Sequence, residues 1–363
     1  METIINILLF ILLLVIIVTI HEFGHFVAAK AFNVYVPEFS IGMGKAIYQH
    51  KFKETTFSIR CLLIGGYCAI AQDEDTVDET TEVKMEKVDK SRTMSGISKI
   101  KKIIILLAGV IMNVLLAIVV MSMIYLSIGK TYDSPKPIIN EVVENSPAES
   151  AGLMKDDEIT KVTLENGYSI SPSTFSDVQD FMSIYEEGEV TFTIKRNGES
   201  FDVKITPIKS DDSYIIGIKA YESNIVSINF VNCWKYGFMY LVEMTKIMWT
   251  TILGLFRGVG YDNLSGPVGM YTATSEAISY GGIYYFVYLA MFSLNIGILN
   301  LIPIPALDGG RIVLTIIETI IRKPIPKKVE EYIMTASVIL FILIFVYVTG
   351  HDIIKLFVWG YYG

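Results

Sequence analysis

The chain has 363 residues, 52% hydrophobic and 19% charged, with a mean hydropathy of +0.47. That is too apolar for a water-soluble globule and too charged for a chain embedded in lipid throughout, so several spans and at least one water-exposed domain are expected. A net charge of −8 disfavours nucleic acid as a partner, and three cysteines without a CxxC pair (Cys61, Cys68, Cys233) argue against a disulfide framework or a cysteine metal site.

Residues 1–30 predict a first transmembrane helix. The apolar run from Ile4 to Ile20 covers roughly 25 Å at about 1.5 Å per residue, close to the hydrocarbon thickness. Met1-Glu2 offers no positive leader and no small-residue cleavage pattern follows, so a retained helix is expected rather than a cleaved signal. The run ends in His21-Glu22-Phe23-Gly24-His25. On a helix the two histidines share a face and can reach one Zn²⁺. Glu22 lies beside that face, where it can take a proton from water at the metal without being a ligand. Three ionisable groups at the end of a lipid-facing helix are costly unless paired or metal-bound.

Residues 31–98 predict a cytoplasmic loop. Within it, Thr56 to Ile70 is apolar, punctuated by Gly65-Gly66 and too short to span, which predicts a membrane-dipping β-hairpin at about 56–70. Asp73 to Lys90 is polar and acidic and reads as loop. A second transmembrane helix is predicted over 99–129, with its apolar run from Ile103 to Ile128 containing Ala108-Gly109 and Asn113. Residues 130–223 hold nine Lys/Arg against eighteen Asp/Glu, so the acidity belongs to one water-exposed segment. Its predicted elements are a strand at Pro137–Val143, a capped helix at Ser146–Leu153, a strand at Asp157–Val162 and a polar helix at about Thr174–Tyr185. Two strands, Val190–Arg196 and Ser200–Pro207, then join at Asn197-Gly198.

Over 224–280 interfacial amphipathic helices are predicted. Asn229 to Arg257 places Phe230, Trp234, Leu241, Met248, Ile252 and Leu255 at helical spacing, interrupted by Lys235, Glu243 and Lys246. A third transmembrane segment is predicted within 281–311, a cytoplasmic loop over 312–331, and a fourth helix and the C-terminus over 332–363. Lys30, Lys45, Lys51, Lys53 and Arg60 follow the first span, and Arg311, Arg322, Lys323, Lys327 and Lys328 follow the third. The positive-inside rule makes both loops cytoplasmic and the acidic segment external. His21 and Asp308 then both follow inward-going spans and are expected near the same membrane face.

Asp308 supplies what the first helix lacks, since two histidines leave a catalytic Zn²⁺ short of a third protein ligand. Pro303 and Pro305 break the helix before it, and Gly309-Gly310 permits a tightly packed, irregular backbone. Such backbone is tolerated at membrane depth only when buried in protein or lining a wet cavity. Asn295 and Asn300 read either as interhelical glue or as substrate contacts, Asn300 lying nearer the break.

The order of elements in the acidic segment resembles a bacterial PDZ domain, which implies either peptide capture by strand addition or steric screening of folded proteins. The whole chain resembles the site-2 protease family of zinc intramembrane metalloproteases, bacterial RseP type. The motifs are HExxH, Gly-Gly-Tyr, Ala-Gly-x-x-x-Asn, one PDZ-like unit and Asn-x-x-Pro-x-Pro-x-Leu-Asp-Gly-Gly, in that order. The resemblance implies one Zn²⁺ per chain held by His21, His25 and Asp308, with Glu22 as acid/base. It also implies substrate contacts at Asn295, Asn300, Pro303 and Pro305, and an edge strand at Gly65, Gly66 and Tyr67.

The fold expected is a polytopic α-helical membrane protein of about four transmembrane helices, with an inserted extracytoplasmic PDZ-like α+β domain and a membrane-associated β-hairpin. The location implied is the bacterial cytoplasmic membrane. The implied partners are the lipid bilayer and single-span membrane proteins already trimmed outside, such as anti-sigma factors, or signal-peptide remnants. A second reading is a non-proteolytic adaptor with structural zinc. Glu22 argues against it, because a structural site has no need of that carboxylate.

Overall fold

A computed structural model describes residues 2–72, 88–183, 185, 188–210, 213–256 and 266–359. The chain folds as two compact units, one of residues 1–127 with 230–363 and one of residues 128–229.

In the first unit, four helices among the described residues are long and apolar enough to cross a membrane. They are α1 (Glu2–Ala31), α2 (Lys99–Ile128), α7 (Gly282–Asn300) and the Lys328–Ile354 stretch of α9 (Lys327–Trp359). Helices α1 and α7 run side by side in one direction. Leu13 and Ile17 pack on Tyr285, Leu289 and Phe292, and the Tyr285 hydroxyl donates to Leu9 O at 3.0 Å. Helix α2 runs the other way, with Ala117 and Met121 against Ala290 and Leu294. Where α1 crosses α2, a Cβ on Gly24 would lie 2.2 Å from Ala108 O, so only glycine permits the approach. The outward faces keep Ile4, Leu8, Leu12 and Ile111 exposed, surface that a bilayer rather than water would cover.

The sheet differs from the hairpin expected at 56–70. That stretch is almost wholly one strand, β2 (Thr55–Ala69), paired with β1 (Glu38–Phe52) across a turn at Lys53-Glu54. Gly65, at φ +84°, lies where β2 turns back, so that 66–69 runs opposite to 56–59 with the run 38–41 between them. Glycines at 42 and 44, both in the left-handed region, bend β1 as well, so each strand serves in two places. Residues 38–41 have 56–59 on one side, rising together, and 66–69 on the other, running opposite, while 46–52 pair with 55–60. An aromatic cluster of Phe23 and Phe26 from α1 with Phe39 and Phe57 seats this sheet on the helix. Glu54 at the turn takes Lys30 at 2.7 Å and Arg92 at 2.6 Å. Burial works against its ionised form, but those two cations hold its pKa below the usual carboxylate value.

Two more expectations change. The loop expected over 312–331 is helical for its first half, because α8 runs from Asp308 to Ile321, and helical again from Lys327, where α9 begins. Val313, Ile316, Ile317 and Ile320 give it a continuous apolar stripe that a charge-based reading overlooks. Between 224 and 280 the structure has α5 (Cys233–Phe256) and α6 (Pro267–Tyr280). Helix α6 is tied to α9 by Asp352, whose carboxylate accepts from the N–H groups of Gly266 and Gly269, both at 2.8 Å. Arg257 and most of the acidic stretch from Asp73 to Lys90 lie outside the described residues.

The second unit holds β3 (Lys130–Asp133), β4 (Ile139–Val142), α3 (Pro147–Ser150), β5 (Glu158–Leu164), β6 (Ser169–Ile170), α4 (Phe175–Ser183), β7 (Val190–Arg196) and β8 (Glu199–Ile205). Four short strands follow, β9 (Ile208–Ser210), β10 (Ser213–Ile215), β11 (Ile218–Ala220) and β12 (Asn224–Ser227). Its main sheet has the order β6-β5-β7-β8, with β11 on β4 and β12 on β3. The β12–β3 ladder carries this unit past the boundary at 223 expected from sequence. The core is apolar: Ile139, Ile159, Val162, Val178, Phe181, Val190, Phe192 and Ile194. Ser146 caps α3 by accepting from Glu149 N, with Pro147 in the first turn.

Candidate active site

His21 and His25 stand one turn apart on α1, and the face they share meets α2 at Gly109. A Cβ there would lie 2.5 Å from His25 Nε2 and 2.7 Å from His21 Cε1, so the rings have room only because position 109 has no side chain. His25 Nδ1 lies 2.8 Å from Ile105 O, which can only accept, so Nδ1 carries the proton and Nε2 keeps its lone pair. His21 Nδ1 lies 3.5 Å from Nδ2 of fully buried Asn113, whose Oδ1 has no partner among the described residues. Turning that amide over presents Oδ1 to His21 Nδ1–H and satisfies both, the tautomer a metal on Nε2 requires.

Asp308 opens α8. Gly309 and Gly310 let that helix start directly against the preceding turn, since a Cβ on either would lie 2.2–2.3 Å from Leu301 O or Ile304 O. Asp308 Oδ2 then reaches 3.0 Å from His21 Nε2 and 3.2 Å from His25 Nε2, and the two Nε2 atoms are 3.2 Å apart. A tetrahedral Zn²⁺ with donors at about 2.0–2.1 Å sets those donors roughly 3.3 Å from one another. The three atoms form one face of such a tetrahedron, and the donor set of two imidazoles and a carboxylate is a zinc set.

Glu22 is turned toward the sheet, where its Oε2 accepts from Cys68 N–H at 2.9 Å. A cavity of about 380 Å³ adjoins these groups, lined by His21, Glu22, His25, Asp308, Asn300 and Tyr67 among others.

The profile of peptidase family M50 matches residues 9–344. The chain belongs to peptidase family M50. A provisionally named zinc metalloprotease of Rickettsia conorii is 34% identical, the match covering 96% of this chain and 98% of the relative. Another provisionally named zinc metalloprotease, of Clostridium acetobutylicum, is 32% identical over 96% of this chain and 97% of its own length. Zinc metalloprotease RasP of Oceanobacillus iheyensis is 28% identical over 96% and 98%. This M50 chain, of the site-2 protease family, is a zinc metalloprotease with membrane helices.

Of the residues singled out from sequence, the M50 fold gathers His21, Glu22, His25, Asp308, Asn300 and Tyr67 around one cavity. Asn295 is half-buried on α7, and Pro303 and Pro305 form the break between α7 and α8. Gly66 passes close to Ser40 O and Val18 of α1. None of these four, nor Gly65, lines the cavity. Gly109, Asn113, Cys68 and Arg311 were not read as site residues. The spacing of Gly109 and Asn113, four apart like the two histidines, was the available signal.

Proposed function

We propose that this M50 peptidase hydrolyses peptide bonds within transmembrane segments of single-span proteins, using one Zn²⁺ held by His21, His25 and Asp308. The observation that carries the reading is a three-donor cluster of zinc dimensions between three apolar helices, two of them long enough to span. Bound there, Zn²⁺ supplies Lewis-acid polarisation of the scissile carbonyl and lowers the pKa of water. Glu22 takes the proton from the attacking water and returns it to the leaving amine. A helical substrate hides its carbonyls and must unwind first. Strand addition along Gly66–Cys68, whose outer edge faces Glu22, offsets the broken bonds. Asn300 lines the substrate's path, and the Pro303–Pro305 break sets where α8 begins.

The Lys/Arg bias supports a cytoplasmic β1–β2 sheet and an extracytoplasmic 128–229 unit, and the strand and helix order of that unit supports a PDZ-like domain in a bacterial cytoplasmic membrane protein. Pre-trimmed anti-sigma factors and signal-peptide remnants have the required single span.

The test is the purified full-length chain in liposomes with a single-span substrate. Wild type should release two fragments, and Glu22→Gln should keep its zinc and release none. A zinc-loaded wild type that binds spans without cutting them would favour the adaptor reading.

A further inference from the structure

The β1–β2 sheet contains a carboxylate that the hydrolytic site does not use. Glu38 is fully buried, and it accepts from Arg60 Nη2 through Oε1 at 2.7 Å and from the Tyr67 hydroxyl through Oε2 at 2.7 Å. Arg60 is itself only 3% exposed, lies 5.5 Å from the Tyr67 ring centre, and donates from Nη1 to Gly44 O. Each partner sits on a different segment. Glu38 is on the central run 38–41, Arg60 ends the run on one side, Tyr67 is in the run on the other side, and Gly44 is in the bend of β1. One buried anion thus joins four pieces of backbone.

Taking an ion pair out of water costs several kcal/mol per ion before attraction repays it, so stability alone is a weak reason to keep one. Fixing a register is a better one. Residues 66–69 pair only with 38–41 in this sheet, through Ser40↔Tyr67 and Phe39↔Cys68. A slip of one residue would turn Tyr67 to the opposite face and carry the Cys68 N–H away from Glu22. Gly65 and Gly66 give this run little intrinsic stiffness.

We propose that Glu38 is a positioning residue for the hydrolytic site. With Arg60 and Tyr67 it locks the register of 66–69, and thereby sets both the edge offered to substrate and the place of the Glu22 carboxylate. This rests on the proteolytic reading of the same site, and it gives the Tyr67 hydroxyl a structural partner in place of a substrate contact.

The full-length protein in liposomes is compared as wild type, Glu38→Gln, Tyr67→Phe, the double variant, and Glu38→Gln with Arg60→Met, which removes the charge from both partners. The first readout, independent of activity, is backbone hydrogen exchange of a peptide covering 65–70. Exchange there should quicken about tenfold in Glu38→Gln and severalfold in Tyr67→Phe, while α1 peptides and zinc content stay at wild-type values. The second is turnover of a stably helical span against one carrying a Gly-Pro break. Each single variant should lose more turnover on the helical span, and the double variant should lose no more than Glu38→Gln alone, as residues acting through one network do. Glu38→Gln with Arg60→Met should recover thermal stability but not the exchange protection of 65–70. Unchanged exchange at 65–70, or losses that multiply in the double variant, would overturn the proposal. A wild type that cuts no span would instead count against the proteolytic reading, while the exchange result would still decide the register lock.

Discussion

The two units of this chain both bury apolar side chains, but they differ in the polar groups they bury with them. In the 128–229 unit, β7 alternates buried Val190, Phe192 and Ile194 with threonines that stay half-exposed, the pattern of a sheet with one face in water. In the other unit, Ile4, Leu8 and Leu12 of α1 face outward while His21 and His25 are buried on the same helix, together with Asn113, Glu38 and Arg60 from elsewhere. Both units hold an acid–arginine pair with a fully buried acid, Asp157–Arg196 in one and Glu38–Arg60 in the other. Arg196 remains partly exposed and Arg60 does not, so water shares the first pair and protein alone solvates the second. Where the outer surface is apolar, buried polar groups add their directional contacts to the apolar packing, and in the 128–229 unit the core is mainly apolar.

The sharpest way to break that comparison is to remove the polar interior. Asp308→Ala or His21→Ala should abolish proteolysis and metal binding together, and Glu22→Gln should cost about 10²–10⁴-fold in turnover with zinc retained by elemental analysis. Normal cleavage by metal-replete Asp308→Ala would remove it from the site. Next in size is the apolar interior. Phe192→Ala should destabilise the 128–229 unit by about 3–5 kcal/mol, whereas Leu8→Ala on the outer face of α1 should stay within roughly 0.5 kcal/mol, both read by proteolysis during melting. A comparable loss in both would mean that α1 is packed on that face after all.

Glycines separate the units more finely. Gly109→Ala should lower zinc affinity roughly 10–100-fold with little change in melting, because the added methyl meets the histidine rings. Gly198→Ala, at φ +90° in the β7–β8 turn, should cost about 1 kcal/mol of stability in its own unit and leave zinc untouched. The smallest effect concerns Glu54. Its folded pKa is depressed, so its contribution is present above the usual carboxylate range and is lost as pH falls through the folded value. The melting difference between wild type and Glu54→Gln should therefore be small at neutral pH and vanish in acid. A difference that grew on acidification would exclude the Lys30–Glu54–Arg92 brace as its source.

What could be read from the sequence follows the same division. Long apolar runs and an HExxH at the end of one of them are local signals, and the His21–His25–Asp308 cluster needed only the further idea that Asp308 returns to the end of α1 that carries the histidines. The β1–β2 sheet was harder. The stretch from Glu38 to Phe52 has glycines at 42 and 44 and three lysines nearby, which masks strand alternation, and its pairing with both ends of β2 is a tertiary fact. Helix α8 was hidden because Arg322 and Lys323 suggest a water-exposed loop without saying where the helix before them stops. Glu38 looked like any strand glutamate, since nothing near it in sequence shows that Arg60 and Tyr67 will arrive.

The hydrogen atom that serves as the side chain of residue 109 has a consequence for how such proteins are recognised and redesigned. Ligands announce themselves by charge and basicity, but the hollow they occupy is moulded by a residue whose contribution is its smallness. A search that scores only donor atoms would accept a sequence with valine opposite the two imidazoles and predict a working metal centre where the rings could not turn inward. Conversely, an engineer wishing to close this hollow while leaving every donor atom in place has in residue 109 a position where one or two carbons would meet both rings.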